Sequence, residues 1–304
     1  MSAHDSLAVG LVVAAHGRHV MVETPEGTRV LCHPRGKKSE LVVGDRVRWQ
    51  PAGDEGVVER LEPRRNLLFR QDEWRTKSFA ANLDQILVLV APEPMIGEGQ
   101  LARALIAAAD ARIGAAIGLN KVDLASADIA RAKLAPYRRA GVPVVELALK
   151  AEPQRSQELL APLLAHRTTL VLGPSGAGKS TLINLMVPHA QAQVGEISKA
   201  LAAGRHTTTS TLLYWLERGA GFDGTALIDS PGFQEFGLRH IGPERLASLM
   251  PDLAAVQEPC RFHNCTHRRE PGCAISAAVA RGDVDEGRWR LYLALHEELS
   301  ASRY

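Results

Sequence analysis

The sequence predicts a multidomain protein: an N-terminal OB-fold β-barrel, a central α/β domain built on a P-loop in circularly permuted order, and a C-terminal helical domain holding a metal. Three observations predict this. Residues 7–61 read as five short strands parted by turns. Strands and helices then alternate on either side of a glycine-rich loop at Gly173–Thr181. Three of the four cysteines fall within residues 260–273, beside histidines. The corresponding boundaries are 1–66, 67–238 and 239–304.

The chain has 304 residues, a length that suits about two domains or more. Its hydrophobic content of 45% is ordinary for a globular protein, and a net charge of +2 does not by itself announce a nucleic-acid binder. The start, MSAHDSLAVG, lacks the basic and apolar regions of a signal peptide, and nowhere do 18 apolar residues run together. A soluble cytoplasmic protein, without a membrane partner, is expected. In a reducing compartment, clustered cysteines favour metal over disulfide.

The barrel strands are Gly10–Ala15, His19–Glu23, Thr28–Cys32, Arg46–Trp49 and Gly56–Leu61, separated by Gly17, Pro25-Glu26-Gly27, Gly44-Asp45 and Gly53-Asp54-Glu55. Five strands at this spacing suit an OB barrel, a frequent nucleic-acid binder. Arg35, Lys37 and Lys38 share one loop, and Arg64, Arg65, Arg70, Arg75 and Lys77 follow the barrel. As a set they suit salt-dependent phosphate contacts with RNA. Cys32 reads as a buried strand cysteine. Residues 67–82 read as a linker.

In the central domain, Ile86–Val90 is a continuous apolar run, as in a strand covered on both faces. Helices at 101–106, 134–137 and 159–164 alternate with strands at 115–119, 142–147 and 170–172, which implies a parallel sheet. Ligands bind at the carboxyl ends of such strands. Thr211–Leu216 and Thr225–Asp229 suggest a hairpin that makes one antiparallel edge.

The loop Gly173-Pro174-Ser175-Gly176-Ala177-Gly178-Lys179-Ser180-Thr181 fits G-x-x-x-x-G-K-[ST] between an apolar strand and a helix. Glycines let successive backbone N–H groups face one concavity that holds phosphate oxygens, Lys179 neutralises the β- and γ-phosphates, and Ser180 offers a hydroxyl to Mg²⁺. Asn120-Lys121-Val122-Asp123 is N-K-x-D. Its aspartate accepts from the N1–H and 2-amino groups of guanine, a pair adenine lacks, so it selects GTP over ATP. Asp229-Ser230-Pro231-Gly232 is D-x-P-G: the aspartate reaches Mg²⁺ through water and Gly232 offers its N–H to a γ-phosphate. Together the three motifs predict a GTPase. The order is permuted, because in Ras-like enzymes the P-loop leads and N-K-x-D comes last.

Residues 195–211 have the character of switch I. A threonine of Thr207–Thr209 is expected on Mg²⁺, with Thr208 preferred. Phe233 stands where Ras-like enzymes hold the water-orienting glutamine, so intrinsic hydrolysis should be slow, on the order of 10⁻⁴ s⁻¹. Gln234 reads as an ordinary switch residue. His240 is the candidate for the missing group, ahead of Arg205 and His206.

Cys260-x4-Cys265-x-His267-x5-Cys273 supplies three thiolates and an imidazole, a closed tetrahedral set for one structural zinc; His263 is the alternative to His267. Helices follow at 274–280 and 286–299. They offer too few apolar residues for a core, so zinc is expected to supply much of the folding energy. Arg261, His263, Arg268 and Arg269 surround the cluster with positive charge.

Gly204-Arg205-His206-Thr207-Thr208-Thr209, DSPGF at 229–233 and the 260–273 cluster together resemble the circularly permuted YjeQ/RsgA family of bacterial GTPases that depend on the small ribosomal subunit. The resemblance runs from about residue 7 to 299. It implies an OB barrel at the N-terminus and favours His267 as the fourth metal ligand. It implies a monomeric factor of 30S maturation that touches 16S rRNA, binds the subunit with GTP, hydrolyses it there and leaves with GDP. The family carries a Ser-Ala base-contact loop where this chain has Glu146–Lys150, and only Ala148 matches. A non-ribosomal RNA-binding GTPase, a nucleic-acid-binding scaffold with a structural nucleotide, and a P-loop ATPase are the competing expectations.

Overall fold

A computed structural model describes residues 7–16, 19–36, 41–71, 76–95, 97–188, 190, 211–219, 221, 223–230 and 236–301. Strands β1 (Ala8–His16), β2 (His19–Glu23), β3 (Arg29–Pro34), β4 (Arg46–Ala52) and β5 (Glu55–Leu61) form the N-terminal barrel. β1 pairs with β2 and β4, β2 with β3, and β5 with β4, all antiparallel, while β3 and β5 run parallel. The circuit 1-2-3-5-4-1 is that of an OB fold. Alternation fills its interior: Val12, Val20, Val22, Cys32, Val47, Trp49 and Val58 make a core of their own. Cys32 is buried as expected, and burial pushes its thiol up to about 12.

The stretch 67–82 is not the expected linker. It forms an antiparallel hairpin of β6 (Leu67–Gln71) and β7 (Thr76–Ala81). Leu68, Phe79, Ala80 and Ala81 are buried, and Phe79 stacks on Phe236 with centroids 5.0 Å apart. The polar residues between the two short apolar runs obscured a hairpin that sends Leu68, Phe79 and Ala80 into the core.

The central sheet contains β8 (Gln85–Val90), β9 (Gly114–Leu119), β10 (Val144–Glu146), β11 (Thr168–Leu172), β12 (Thr211–Arg218) and β13 (Gly224–Asp229) in the order β10-β9-β8-β11-β13-β12. All neighbours are parallel except β12 and β13, the expected antiparallel edge. Helices α1 (Glu98–Asp110), α2 (Ala127–Arg139), α3 (Pro153–Leu164) and α4 (Lys179–Met186) connect or follow the strands. Every residue of β8 is buried, which explains its unbroken apolar run.

The barrel and this sheet are one ladder. β12 pairs antiparallel with β1, Ala14 opposite Leu212 and Ala15 opposite Thr211. Glu23 seals the junction: its buried carboxylate accepts from Trp215 Nε1 at 2.8 Å and Arg29 Nε at 2.9 Å, with Arg218 3.4 Å away.

Beyond Phe236 the chain forms a short turn of helix, α5 (Pro251–Ala254), then α6 (Ala274–Arg281) and α7 (Glu286–Ala301). The expectation that this segment has too little apolar surface for a core is corrected. Leu246, Leu249, Met250, Leu253, Ile275, Tyr292, Leu295 and Leu299 are buried in the same cluster as the central domain's Leu101, Leu105 and Leu134. The segment completes a neighbour's core instead of building its own. Arg288 of α7 is buried with it, forking onto Asp252 at 2.7 and 3.0 Å and donating to Tyr137 of α2 at 2.8 Å. No helix among the described residues is long and apolar enough to cross a membrane.

Candidate functional site

β11 delivers the chain to the phosphate loop and α4 leaves it, so the helix N-terminus and its free N–H groups face whatever the loop holds. Two glycines make the curl possible. Gly173 has φ +149° and Gly178 φ +108°; a Cβ on the first would fall 2.2 Å from the Leu89 carbonyl oxygen, and on the second 2.3 Å from Asn120 Nδ2. Lys179 Nζ lies inside the curl and donates to the carbonyls of Gly173 at 2.6 Å and Pro174 at 3.1 Å. Burial lowers its pKa, and Asp229, at the end of β13, opposes that shift. Burial in turn raises the Asp229 carboxyl, and Lys179 opposes it. The two charges meet across the loop, where a phosphate and a divalent cation would complete the set.

The N-K-x-D segment leaves β9 beside this loop. The Asn120 side chain, almost fully buried, donates from Nδ2 to the Ala177 carbonyl at 2.8 Å and accepts from the Leu149 N–H at 3.1 Å. One amide thus braces the phosphate loop and the 147–150 loop together. Lys121 donates to the Glu93 carbonyl at 2.6 Å, and Ser126 Oγ to the Glu93 carboxylate at 2.7 Å. Val122 N–H donates to the Leu147 carbonyl at 3.2 Å. Asp123 is exposed at the rim of the cleft.

The cleft has a volume of about 510 Å³, within the range of small-molecule sites. Asn120, Lys121, Asp123, Ser175, Gly176, Gly178, Lys179, Ser180 and Thr181 line it, so the predicted base and phosphate residues converge on one cavity. Leu124, Leu149 and Lys150 line it too. Leu149 and Leu124 carry no polar group that a motif search would select. In the 147–150 loop the Ala148 N–H is taken by Ser156 Oγ at 3.1 Å and that of Leu149 by Asn120. The donor left to face a base from this loop is Lys150. Thr207–Thr209, with Thr208, and Arg205, His206, Pro231, Gly232, Phe233 and Gln234 lie outside the described residues.

His240 is not beside the phosphates. Its ring packs on Phe69 with centroids 4.4 Å apart, and Nε2 lies 3.7 Å from the Asp110 carboxylate. Asp110 ends α1. The first turn of that helix lies near the phosphate loop, because the 93–94 segment just before it touches Lys121 and Gly176. A helix of 13 residues rises about 20 Å, so His240 sits at the far end.

The four cluster residues do converge. One ligand atom from each of Cys260, Cys265, His267 and Cys273 lies within 4.8 Å of the others. His267 Nδ1 is 3.5 Å from the sulfurs of both Cys260 and Cys273. Bonds of about 2.0–2.3 Å to a tetrahedral ion need ligand separations near that value, and three thiolates with one imidazole suit zinc. His267, not His263, is in the set. Burial lowers its pKa, against Glu270, which favours the neutral imidazole a metal binds. Trp289 Nε1 donates to the His267 carbonyl at 3.1 Å, and Tyr292 Oη to that of Thr266 at 2.6 Å, so α7 grips the ligand loop.

Two arginines of the basic set after the barrel are taken up in contacts within the chain. Arg64 forks onto the buried Asp45 carboxylate at 2.7 and 2.8 Å, and Arg65 is spent on Asn82 and Asp84. Arg35 pairs with Glu59 at 2.6 Å. Lys37, Lys38 and Arg75 lie outside the described residues.

A parallel sheet carrying a phosphate loop, with N-K-x-D ahead of it in the chain and both on one cleft, defines a circularly permuted P-loop GTPase. The model of the RsgA GTPase family matches residues 61–239, and the chain belongs to that family. It is a GTP hydrolase. It is 59% identical over 300 residues to the small ribosomal subunit biogenesis GTPase RsgA of Variovorax paradoxus, covering 97% of this chain and 93% of that one. Identity to the protein of that name in Bordetella pertussis is 53% over 298 residues, covering 97% and 98%. Among solved structures, YjeQ from Thermotoga maritima superposes with a TM-score of 0.72 at 27% identity, over 96% of this chain and 98% of the other. YloQ, a circularly permuted GTPase, shares the fold with a TM-score of 0.70 at 24% identity, over 100% and 99%.

Proposed function

We propose that this GTPase acts in late maturation of the small ribosomal subunit. It binds the 30S particle through 16S rRNA in its GTP form, hydrolyses GTP to GDP and phosphate there, and leaves with GDP. It works as a cytoplasmic monomer. The observation that carries the GTP half is the Asn120 amide that ties the base-reading segment to the phosphate loop. The ribosomal half is supported by the relatives, whose names are those of small-subunit biogenesis GTPases across nearly the whole chain.

In this reading Asp123 selects guanine and Asn120 and Val122 hold the segment in place. Lys121 flanks the base once it leaves the Glu93 carbonyl. The backbone of Gly173–Gly178 cradles the phosphates, with Pro174, Ser175, Gly176 and Ala177 shaping the turn. Lys179 exchanges its two carbonyl partners for phosphate oxygens. Ser180, Thr208 and Asp229 would hold Mg²⁺, which would neutralise charge developing on the phosphates. Thr181 closes the first turn of α4 and Gly232 offers its N–H to the γ-phosphate. Cys260, Cys265, His267 and Cys273 hold one structural zinc, which fixes their loop. His240 serves catalysis only after leaving its seat on Phe69 and Asp110.

GTP turnover by the purified chain, alone and with 30S or 50S particles, tests the reading. A large rise with 30S and none with 50S is expected. No rise with 30S, or an equal rise with both, overturns the small-subunit assignment.

A further inference from the structure

We propose that the outer face of the metal-ligand loop, at Arg261 and Phe262, is a stacking platform for an unpaired RNA base. The proposal rests on the RNA-binding reading above and names which part of an RNA this surface takes.

Phe262 is 42% exposed, and it is the one aromatic side chain among the exposed large hydrophobic residues of the described chain. A phenylalanine ring left half in water forgoes much of the stabilisation its full burial would contribute. Its ring neighbour is the guanidinium of Arg261, 5.5 Å from the centroid. An aromatic ring beside an arginine is the pair on which single-stranded nucleic acids stack their bases, because every base presents a π-face.

The backbone beneath is held in place. Arg261 N–H donates to the Gly272 carbonyl at 3.0 Å, and Cys265 N–H to that of Phe262 at 3.2 Å. The Cys260 and Cys273 sulfurs accept from Ala274 and Ser276 N–H groups. Trp289 and Tyr292 hold the far side of the loop. A base that stacks here meets a platform already ordered, so little conformational entropy is lost on binding.

The positive charge of the loop is uncompensated. The acidic residue within the loop, Glu270, is turned inward: it accepts from Thr266 N–H at 2.8 Å, Thr266 Oγ1 at 2.5 Å, Arg268 N–H at 2.9 Å and Arg269 N–H at 3.1 Å. Those bonds occupy its carboxylate with backbone. Among the described residues no carboxylate lies within ion-pair distance of Arg261, Arg268 or Arg269, all of which are exposed. The barrel's exposed Arg35, Arg48 and Arg60 each face a glutamate instead. An exposed aromatic ring beside an unpaired guanidinium, on a loop that carries two more arginines, suits a polymer that is both anionic and aromatic. A duplex hides its base faces, so only an unpaired nucleotide satisfies ring and charge together.

The test uses the full zinc-loaded chain and two probes of matched charge: a single-stranded oligoribonucleotide carrying 2-aminopurine, and a blunt-ended RNA duplex. Phe262→Ala is expected to weaken single-strand binding about tenfold, the loss of one stacked base, and to abolish quenching of 2-aminopurine. Duplex affinity and the salt slope stay as in the parent, Phe262→Trp restores the single-strand affinity, and zinc content checks that the loop is intact. Equal affinity of parent and Phe262→Ala for the single strand overturns the platform and leaves a phosphate-binding surface. Equal competition by an acidic peptide also overturns it, since any polyanion would then serve. If the parent binds neither RNA at low salt, the RNA-binding reading itself fails, an outcome distinct from the other two.

Discussion

Asn120 and Ala177 are joined by a hydrogen bond of 2.8 Å, although 57 residues separate them in the chain. With Leu149 on its other end, the same amide holds three loops. Asn120→Ala leaves the Ala177 carbonyl and the Leu149 N–H buried without partners, at a cost of about 1–3 kcal/mol for each. The melting temperature should fall, and GTP and GDP should both lose about tenfold or more in affinity, read by titration calorimetry. The loops that Asn120 braces would face the base and phosphates that GTP and GDP share, so both ligands should suffer alike; a loss confined to GTP would count against this bracing role.

Asp123 lies exposed at the mouth of the cleft, where its carboxylate is free to meet a base edge. Asp123→Asn replaces one acceptor oxygen with a donor. Guanine then meets donor against donor, whereas xanthine presents a carbonyl at that position. GTP affinity should drop by two orders of magnitude or more, in line with polar mispairing of about 10²–10⁵, and xanthosine triphosphate should gain. Unchanged selectivity in competition binding would remove Asp123 from the base site.

Much of this architecture was legible in the sequence because short-range rules set it. The barrel strands announce themselves by glycine-bounded turns, and the phosphate loop by glycines that no side chain can replace. The four ligands stand out by residue type alone, within residues 260–273. What stayed hidden was non-local. The pairing of Ala14 with Leu212 joins strands nearly two hundred residues apart, and no local pattern encodes it. The 67–81 hairpin draws its burial from Phe236, on a distant segment. Leu149 is held at the cleft by its backbone N–H, bound to Asn120, a group that every residue except proline has. The C-terminal helices seemed too poor in apolar residues only because their core partners belong to α1 and α2.

Arg288 shows how that shared core is locked. Its guanidinium forks onto Asp252 and stacks 4.4 Å from the centroid of Tyr137. Burial and the Arg288 charge act oppositely on Tyr137, with burial prevailing, and its phenol is pushed up to about 12. Arg288→Ala strands a buried aspartate and should destabilise the chain by about 3–5 kcal/mol. Arg288→Met with Asp252→Leu removes both charges and should recover most of that loss. Chemical denaturation of the two variants decides the matter: if the double variant is no more stable than the single one, a stranded charge is not the cause.

His240 is held where it cannot reach a nucleotide, and protons should loosen that hold. Burial lowers its pKa; Asp110 opposes this, and Arg245, itself 2.7 Å from Asp110, adds to it. Its Nδ1 is buried without a partner, so the seat fits a neutral ring. A seated His240 therefore binds fewer protons than a free one. The seat is stable above the ordinary histidine value of about 6.5 and is lost as pH falls below it. Imidazole NMR resonances should report release on acidification. Phe69→Ala removes the ring beneath His240 and should free it at neutral pH as well. If His240 then serves hydrolysis, unstimulated GTP turnover should rise several-fold in Phe69→Ala and fall back when His240→Ala is added. A free ring with unchanged turnover would mean that its seat restrains nothing catalytic.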